Sequence, residues 1–320
     1  MKAIILISAA FSCLFCAQAT ENDAEQRQKR VDGLYISHVH RGGGAKERPD
    51  NTLETFIWCW SHGAGVECDI QFTKDKVPVM IHDGNLHRTA RNAAPELVKT
   101  KINQLTYDQI KNVDVGSYID PRFASERVPT FDAVLKEMQK DKTYLLFVDD
   151  KGVGPKKIAE KAKEYGILDQ VYYTTCHYSQ ILNWNKVTGG GKTRLWWGPG
   201  TRSFDENGYA YARKRMESKM NELRKNNFKG VTLVCFDVHF NPDKAEPFLP
   251  DTAYLKGLAE ELHRNGVLFT CIPYIGGNRK EVYHRLWEIG CDGFGSDYPS
   301  AMFKAIKEIK DAGGRCSTGR

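Results

Sequence analysis

From Val31 onward, short runs of β-branched and aromatic residues alternate with longer segments whose apolar positions recur every three or four residues. The short runs predict strands at Leu34 to Ile36, Val66 to Phe72, Tyr144 to Val148, Val171 to Thr175, Arg194 to Trp197, Val231 to Phe236, Val267 to Ile272 and Gly293 to Ser296. The segments between them predict helices over Leu53 to His62, Tyr107 to Val113, Phe131 to Gln139, Lys156 to Tyr165, Ser179 to Asn185, Tyr209 to Asn226, Thr252 to Asn265 and Arg279 to Ile289, with a last one at Ala301 to Ala312.

Strands that alternate with helices form a parallel sheet, because parallel neighbours need a crossover between them. About eight such units predict closure into a (β/α)8 TIM barrel, in which chemistry gathers at the C-terminal ends of the strands. A doubly wound open sheet is the alternative, but no Gly-x-Gly-x-x-Gly follows the first strand. The stretch from Gly84 to Pro129 is longer than a loop and a helix require, and predicts a small insertion after the second strand, near the barrel mouth.

The N-terminus departs from this pattern. Lys2 precedes the apolar run "AIILISAAFSCLFCAQA", and the charged "ENDAEQRQKR" follows it closely. A spanning helix needs about 20 apolar residues, so this shorter run, with small residues at Ala17 and Ala19, predicts a secretory signal cleaved near Ala19. The expected organisation is a signal peptide over 1–19, a polar segment over 20–30, one barrel domain over 31–313 and a tail over 314–320. Export to the periplasm or the exterior follows, with no integral membrane segment once the signal is removed.

Net charge is +6, or +5 without Lys2, and the excess is spread along the chain. That is too little and too diffuse for nucleic-acid binding. Nine cysteines include two in the signal, Cys13 and Cys16. Cys68, Cys235 and Cys271 lie in apolar strand-like runs and read as small buried hydrophobes, and no CxxC pair or His/Cys cluster points to zinc.

The candidate chemistry lies at strand ends. Glu67 and Asp69 are two residues apart and share one face of a strand, while Cys68 and Ile70 take the other. Two carboxylates projecting into a barrel mouth repel unless a cation lies between them, and a hard divalent ion with oxygen ligands meets that need. In "YLLFVDDKG" the run ends at Asp149, Asp150 and Lys151, and parity places Asp149 and Lys151 on one face. This pair suits a third metal ligand beside a phosphate-binding cation. His40, followed by Arg41 and three glycines, and His82, ending "VPVMIH", are placed to present imidazoles to the site. His38 shares the parity of His40 but lies deeper, where packing is the expected role. His62, His263 and His284 fall on helices, as surface or boundary residues. His177, Asp237 and His239 also sit near strand ends and receive no role.

The succession His40-Arg41-Gly42, Pro49-Asp50-Asn51-Thr52, Glu67-x-Asp69, Thr73-x-Asp75, Pro78-Val79, His82-Asp83 and Arg88-Thr89 resembles the glycerophosphodiester phosphodiesterase family. "VDVGSY", "RVPTFDAVL", Asp149-x-Lys151 and "GCDGFGSDYPSAM" look like its later signatures, so the resemblance touches residues 36 to 303. It implies a TIM barrel and a phosphodiesterase that uses one divalent cation, Mg2+ or Ca2+, to cleave small-molecule glycerophosphodiesters into glycerol phosphate and an alcohol. By position it implies that Glu67, Asp69 and Asp149 hold the ion. His40 and His82 would serve as general base and acid, Arg41 and Lys151 would meet the phosphate oxygens, and Asn51 would order the loop after the first strand. The glycines would allow a close backbone approach, and Asp50-Asn51-Thr52 would restart the chain as a capped helix.

Three departures from the family stand out: Asp149 and Asp50 where Glu is usual, and "LFTCIPY" in place of Trp-Thr-Val-Asn in the seventh strand, with Phe269 as the aromatic. An Asp at the third metal position is similar to the sphingomyelinase D relatives, so an enzyme acting on choline or ethanolamine (lyso)phospholipids is one alternative. Trp196, Trp197 and Phe269 are then the candidate pocket wall. A barrel that binds phosphate esters without turnover is the other alternative. The oligomeric state is not legible.

Overall fold

The computed structural model describes residue 25 and residues 28–44 and 47–314. The signal segment 1–19, most of the polar segment that follows it and nearly all of the tail lie outside the described residues.

Among the described residues ten strands run in chain order: β1 (His38–Val39), β2 (Gly65–Phe72), β3 (Pro78–Met80), β4 (Leu146–Asp150), β5 (Val171–Thr175), β6 (Thr193–Trp197), β7 (Leu233–Phe240), β8 (Phe248–Leu249), β9 (Leu268–Ile275) and β10 (Gly293–Ser296). Eight of them pair in parallel in the order β1-β2-β4-β5-β6-β7-β9-β10. The pairing of β1 with both β2 and β10 closes the ring. The expected TIM barrel is therefore observed. Short β3 and β8 lie outside the ring and pair antiparallel with β2 and β7.

Alternation along each strand sorts the side chains into two cores. Val66, Cys68, Ile70, Leu146 and Val148 face outward against helices such as Leu53–Ser61 and Phe131–Met138. Ile36, Leu145, Phe147, Tyr172, Leu233, Cys235 and Ile272 face inward and plug the barrel. Above this plug the inward positions become polar, and that change of character makes the site. Cys68, Cys235 and Cys271 are fully buried free thiols, as anticipated.

Predicted and observed elements differ most at the start. Leu34–Ile36, expected as the first strand, is a 3-10 turn, and pairing begins at His38. A short apolar run has no period to distinguish a strand from a plug. Here Leu34 and Ile36 are buried, and Ile36 closes the barrel from below. The segment after β3 carries short helices at Pro95–Lys99 and Tyr107–Ile110. It forms its own small core, in which Ile81, Leu86, Ile102 and Ile110 pack with Val128.

Gly295 of β10 faces the barrel interior, where a Cβ would lie 2.1 Å from Ile272 Cγ1 and 3.0 Å from His38 Nε2. Gly295→Ala should therefore destabilise by about 1–3 kcal/mol through overpacking. The expected readout is a lower urea midpoint with an unchanged denaturant slope.

Candidate active site

Register brings the three carboxylates together. β2 and β4 are parallel neighbours in which Asp69 pairs with Asp149 and Glu67 with Phe147. One ligand oxygen from each of Glu67, Asp69 and Asp149 lies within 4.8 Å of the others. All donors are carboxylate oxygens, a set that fits a hard divalent cation such as Mg2+ or Ca2+. Burial, followed by the charge of Asp69, pushes the Glu67 carboxyl above its ordinary pKa. Burial does the same to Asp149, against the pull of Lys151. Like charges this close and this dry call for a cation between them.

The loop after β1 closes over this cluster. The His40 amide donates to the Ser296 carbonyl at 3.0 Å, which extends the β1–β10 pairing by one residue. Arg41 then turns into the left-handed region, with φ 53°, and its amide donates to Glu67 Oε2 at 2.9 Å. The glycines behind it are required by contact: a Cβ on Gly43 would sit 2.2 Å from the Arg48 carbonyl, and one on Gly44 2.3 Å from the Asp297 carbonyl. Asn51, also left-handed at φ 56°, clamps Asp69 at both ends. Its Nδ2 donates to Asp69 Oδ2, and its Oδ1 accepts from the Asp69 amide, both at 3.0 Å. Thr52 holds the N-cap position of the next helix, but its hydroxyl bonds Glu126 and not the helix amides, so the expected side-chain cap is absent.

Both histidines are oriented by a carboxylate on Nδ1. His40 meets Asp297 Oδ1 at 2.7 Å, and its Nε2 lies 3.8 Å from Glu67 and 3.4 Å from the Tyr274 hydroxyl. Burial opposes the His40 imidazolium, yet the Asp297 hydrogen bond and the charge of Glu67 outweigh it and raise the pKa. His82 meets Asp83 Oδ1 at 2.7 Å, and a chain of ion pairs continues from Asp83 Oδ2 to Arg88 and on to Asp50. That Asp83 carboxyl is held far below its usual value by the His82 bond, and Arg88 adds to the effect. Lys151 Nζ is 2.6 Å from Asp149 and 3.4 Å from Asp69, and Arg41 lies 3.6 Å from Asp50 and 3.7 Å from Asp69.

These groups line one cavity of about 110 Å3 at the C-terminal end of the barrel, which brings together His40, Arg41, Glu67, Asp69, His82, Asp149 and Lys151. Four residues that received no role from the sequence belong here too. Arg194, Asp237 and Tyr274 line the cavity, and Asp297 anchors His40. Strand parity was the available signal, since Arg194 and Trp196 share a face and Asp237 lies two beyond the inward Cys235.

Of the three aromatics assigned to the pocket wall, only Trp196 is there. Trp197 points to the other face, where its indole donates to the Cys176 carbonyl at 3.1 Å. Phe269 is also outward, edge-on to Phe236 at 5.6 Å in the shell between barrel and helices. Adjacent residues on a strand cannot both face the cavity. His38 is a packing residue as expected, stacked near Phe147 with its pKa lowered by burial. His177 and His239 do not line the cavity.

Residues 40–186 match the glycerophosphoryl diester phosphodiesterase family. That match covers a little under half of the chain and includes His40, Glu67, Asp69, His82, Asp149 and Lys151. Among similar proteins, a glycerophosphodiester phosphodiesterase of Caldanaerobacter subterraneus subsp. tengcongensis is 33% identical over 150 residues, 44% of this chain and 58% of that protein. Glycerophosphodiester phosphodiesterase 1 of Homo sapiens is 32% identical over 141 residues, 43% of this chain and 40% of that protein. The chain thus spans about half the length of these curated relatives. The barrel superimposes on an Oleispira antarctica phosphodiesterase, solved in complex with the product sn-glycerol-3-phosphate, with a TM-score of 0.60. That pair shares 16% identity over 87% of this chain and 99% of the other, a likeness of fold.

Asp297→Asn removes the carboxylate that raises the His40 pKa while burial continues to lower it, so the imidazole should titrate at lower pH. NMR titration of the His40 ring resonances reads this directly, and an unchanged midpoint would show that Asp297 does not tune the ring.

Proposed function

We propose that this protein is an exported, divalent-cation-dependent phosphodiesterase that hydrolyses glycerophosphodiesters to glycerol phosphate and an alcohol. The observation that carries the reading is the placement of three clustered carboxylates in one cavity with two imidazoles, each held through Nδ1 by its own carboxylate. The match of residues 40–186 to the family supports the reaction class, and the structural neighbour solved with sn-glycerol-3-phosphate supports the product. Export rests on the N-terminal run alone; among the described residues no helix is long and apolar enough to cross a membrane.

Glu67, Asp69 and Asp149 would hold the cation, which when bound supplies positive charge that polarises the phosphoryl oxygens. Arg41 and Lys151 orient those oxygens and offset their charge. His40 presents Nε2 to the cavity because Asp297 occupies Nδ1, and His82 is arranged in the same way by Asp83. One ring takes a proton from the attacking water, or from a neighbouring substrate hydroxyl whose cyclic phosphate water then opens, and the other gives a proton to the departing alkoxide oxygen. Asn51 keeps Asp69 from rotating away from its neighbours.

A second reading, cleavage of choline or ethanolamine lysophospholipids, draws on Trp196 and Tyr274, whose aromatic faces suit an ammonium group.

The purified protein should release glycerol phosphate from glycerophosphocholine, lose that activity in EDTA and regain it with Mg2+ or Ca2+. No turnover of any glycerophosphodiester with either ion restored would defeat the proposal. His40→Ala and His82→Ala should each lower kcat by about 10²- to 10⁴-fold with the fold intact. Lysophosphatidylcholine, offered beside the deacylated diester, decides between the two substrate readings by the ratio of kcat/KM.

A further inference from the structure

Arg194 stands apart from Arg41 and Lys151, the other two Arg/Lys cations that line the cavity. It lies on β6, between Thr174 of β5 and Leu233 of β7 in the register, and two residues before the inward-facing Trp196. It is 3% exposed and forms part of the cavity floor. Its one hydrogen bond is a long contact from Nη2 to Cys235 Sγ at 3.5 Å, and its Nε has no partner. Among the described residues no carboxylate forms an ion pair with it; Glu67 and Asp237 act on it only at longer range.

A guanidinium without an ion pair in a barrel core is costly, and its packing over the Phe147 ring, 5.8 Å from the centroid, does not supply the missing acceptors. Arg224, outside the cavity, by contrast meets both oxygens of Glu261 at 2.6 and 2.7 Å. The other two cavity cations, Arg41 and Lys151, are already engaged with Asp50, Asp69 and Asp149. Arg194 is the cavity cation whose donors are left without a carboxylate, which suits it to an anion that enters from outside.

We propose that Arg194 is a third phosphate-binding cation, set in the cavity floor, whose guanidinium donates to a non-bridging oxygen of the phosphoryl group. The inference rests on the phosphodiesterase reading for the identity of its ligand, a phosphate ester. The monoester product carries close to two negative charges near neutral pH, so product binding is the sensitive measure of such a residue.

The test is calorimetric titration of sn-glycerol 3-phosphate, and separately of inorganic phosphate, into protein saturated with Mg2+ or Ca2+. Wild type is compared with Arg194→Gln and Arg194→Lys. Metal is also titrated into EDTA-stripped protein of each. Arg194→Gln should weaken both anions by about 10- to 100-fold. Arg194→Lys, which keeps the charge without the fork and preserves the packing better, should fall between. Metal affinity should hold or tighten, because a positive charge near Glu67 is removed. Unchanged anion affinity in both variants overturns the proposal. So does weaker metal binding with anion affinity intact at saturating metal, which would make Arg194 a prop for Glu67. Wild-type protein that turns over no glycerophosphodiester, yet binds phosphate through Arg194, would defeat the enzymatic reading and leave this inference standing.

Discussion

The site depends on one register. Because β2 and β4 pair so that Asp69 lies beside Asp149, with Glu67 two residues before Asp69 on the same face, three carboxylates crowd a nearly dry corner of the barrel mouth. Left alone they would repel and protonate, as the raised pKa values of Glu67 and Asp149 express. The surrounding structure answers that repulsion with the Arg41 amide on Glu67, the Asn51 clamp on Asp69 and the Lys151 ammonium beside Asp149. A divalent cation held among the three would complete the balance.

The same corner also sets the environment of His40. His40 sits within reach of Glu67 and is held from behind by Asp297, so two strands that close the barrel, β1 and β10, also set the ring's orientation and its proton affinity. On the opposite flank, His82 reports to Asp50 through Asp83 and Arg88. Since Asp50 also bonds Tyr118, the insertion after β3 braces the catalytic mouth from outside.

Much of this was legible from residue order. Glu67-x-Asp69 and Asp149-x-Lys151 announce shared faces through the two-residue period of a strand, and the same rule, applied to Trp196-Trp197, excludes one of the pair from the cavity. Phe269 failed as a pocket residue for that reason too: its parity with Cys271 and not with Ile272 sends it outward. Leu34 to Ile36 misled because three apolar residues pack equally well as a strand or as a plug.

The sequence by itself determined the repeating strand and helix units, the barrel they close into and the short motifs at the strand ends, because periodicity and short motifs are local properties. Only the tertiary structure decided which strand ends meet across the barrel. Asp297 reaches His40 from 257 positions away, and Arg194, Asp237 and Tyr274 enter the cavity from β6, β7 and β9. No local pattern encodes those meetings; ring closure imposes them, by bringing the last strand back beside the first.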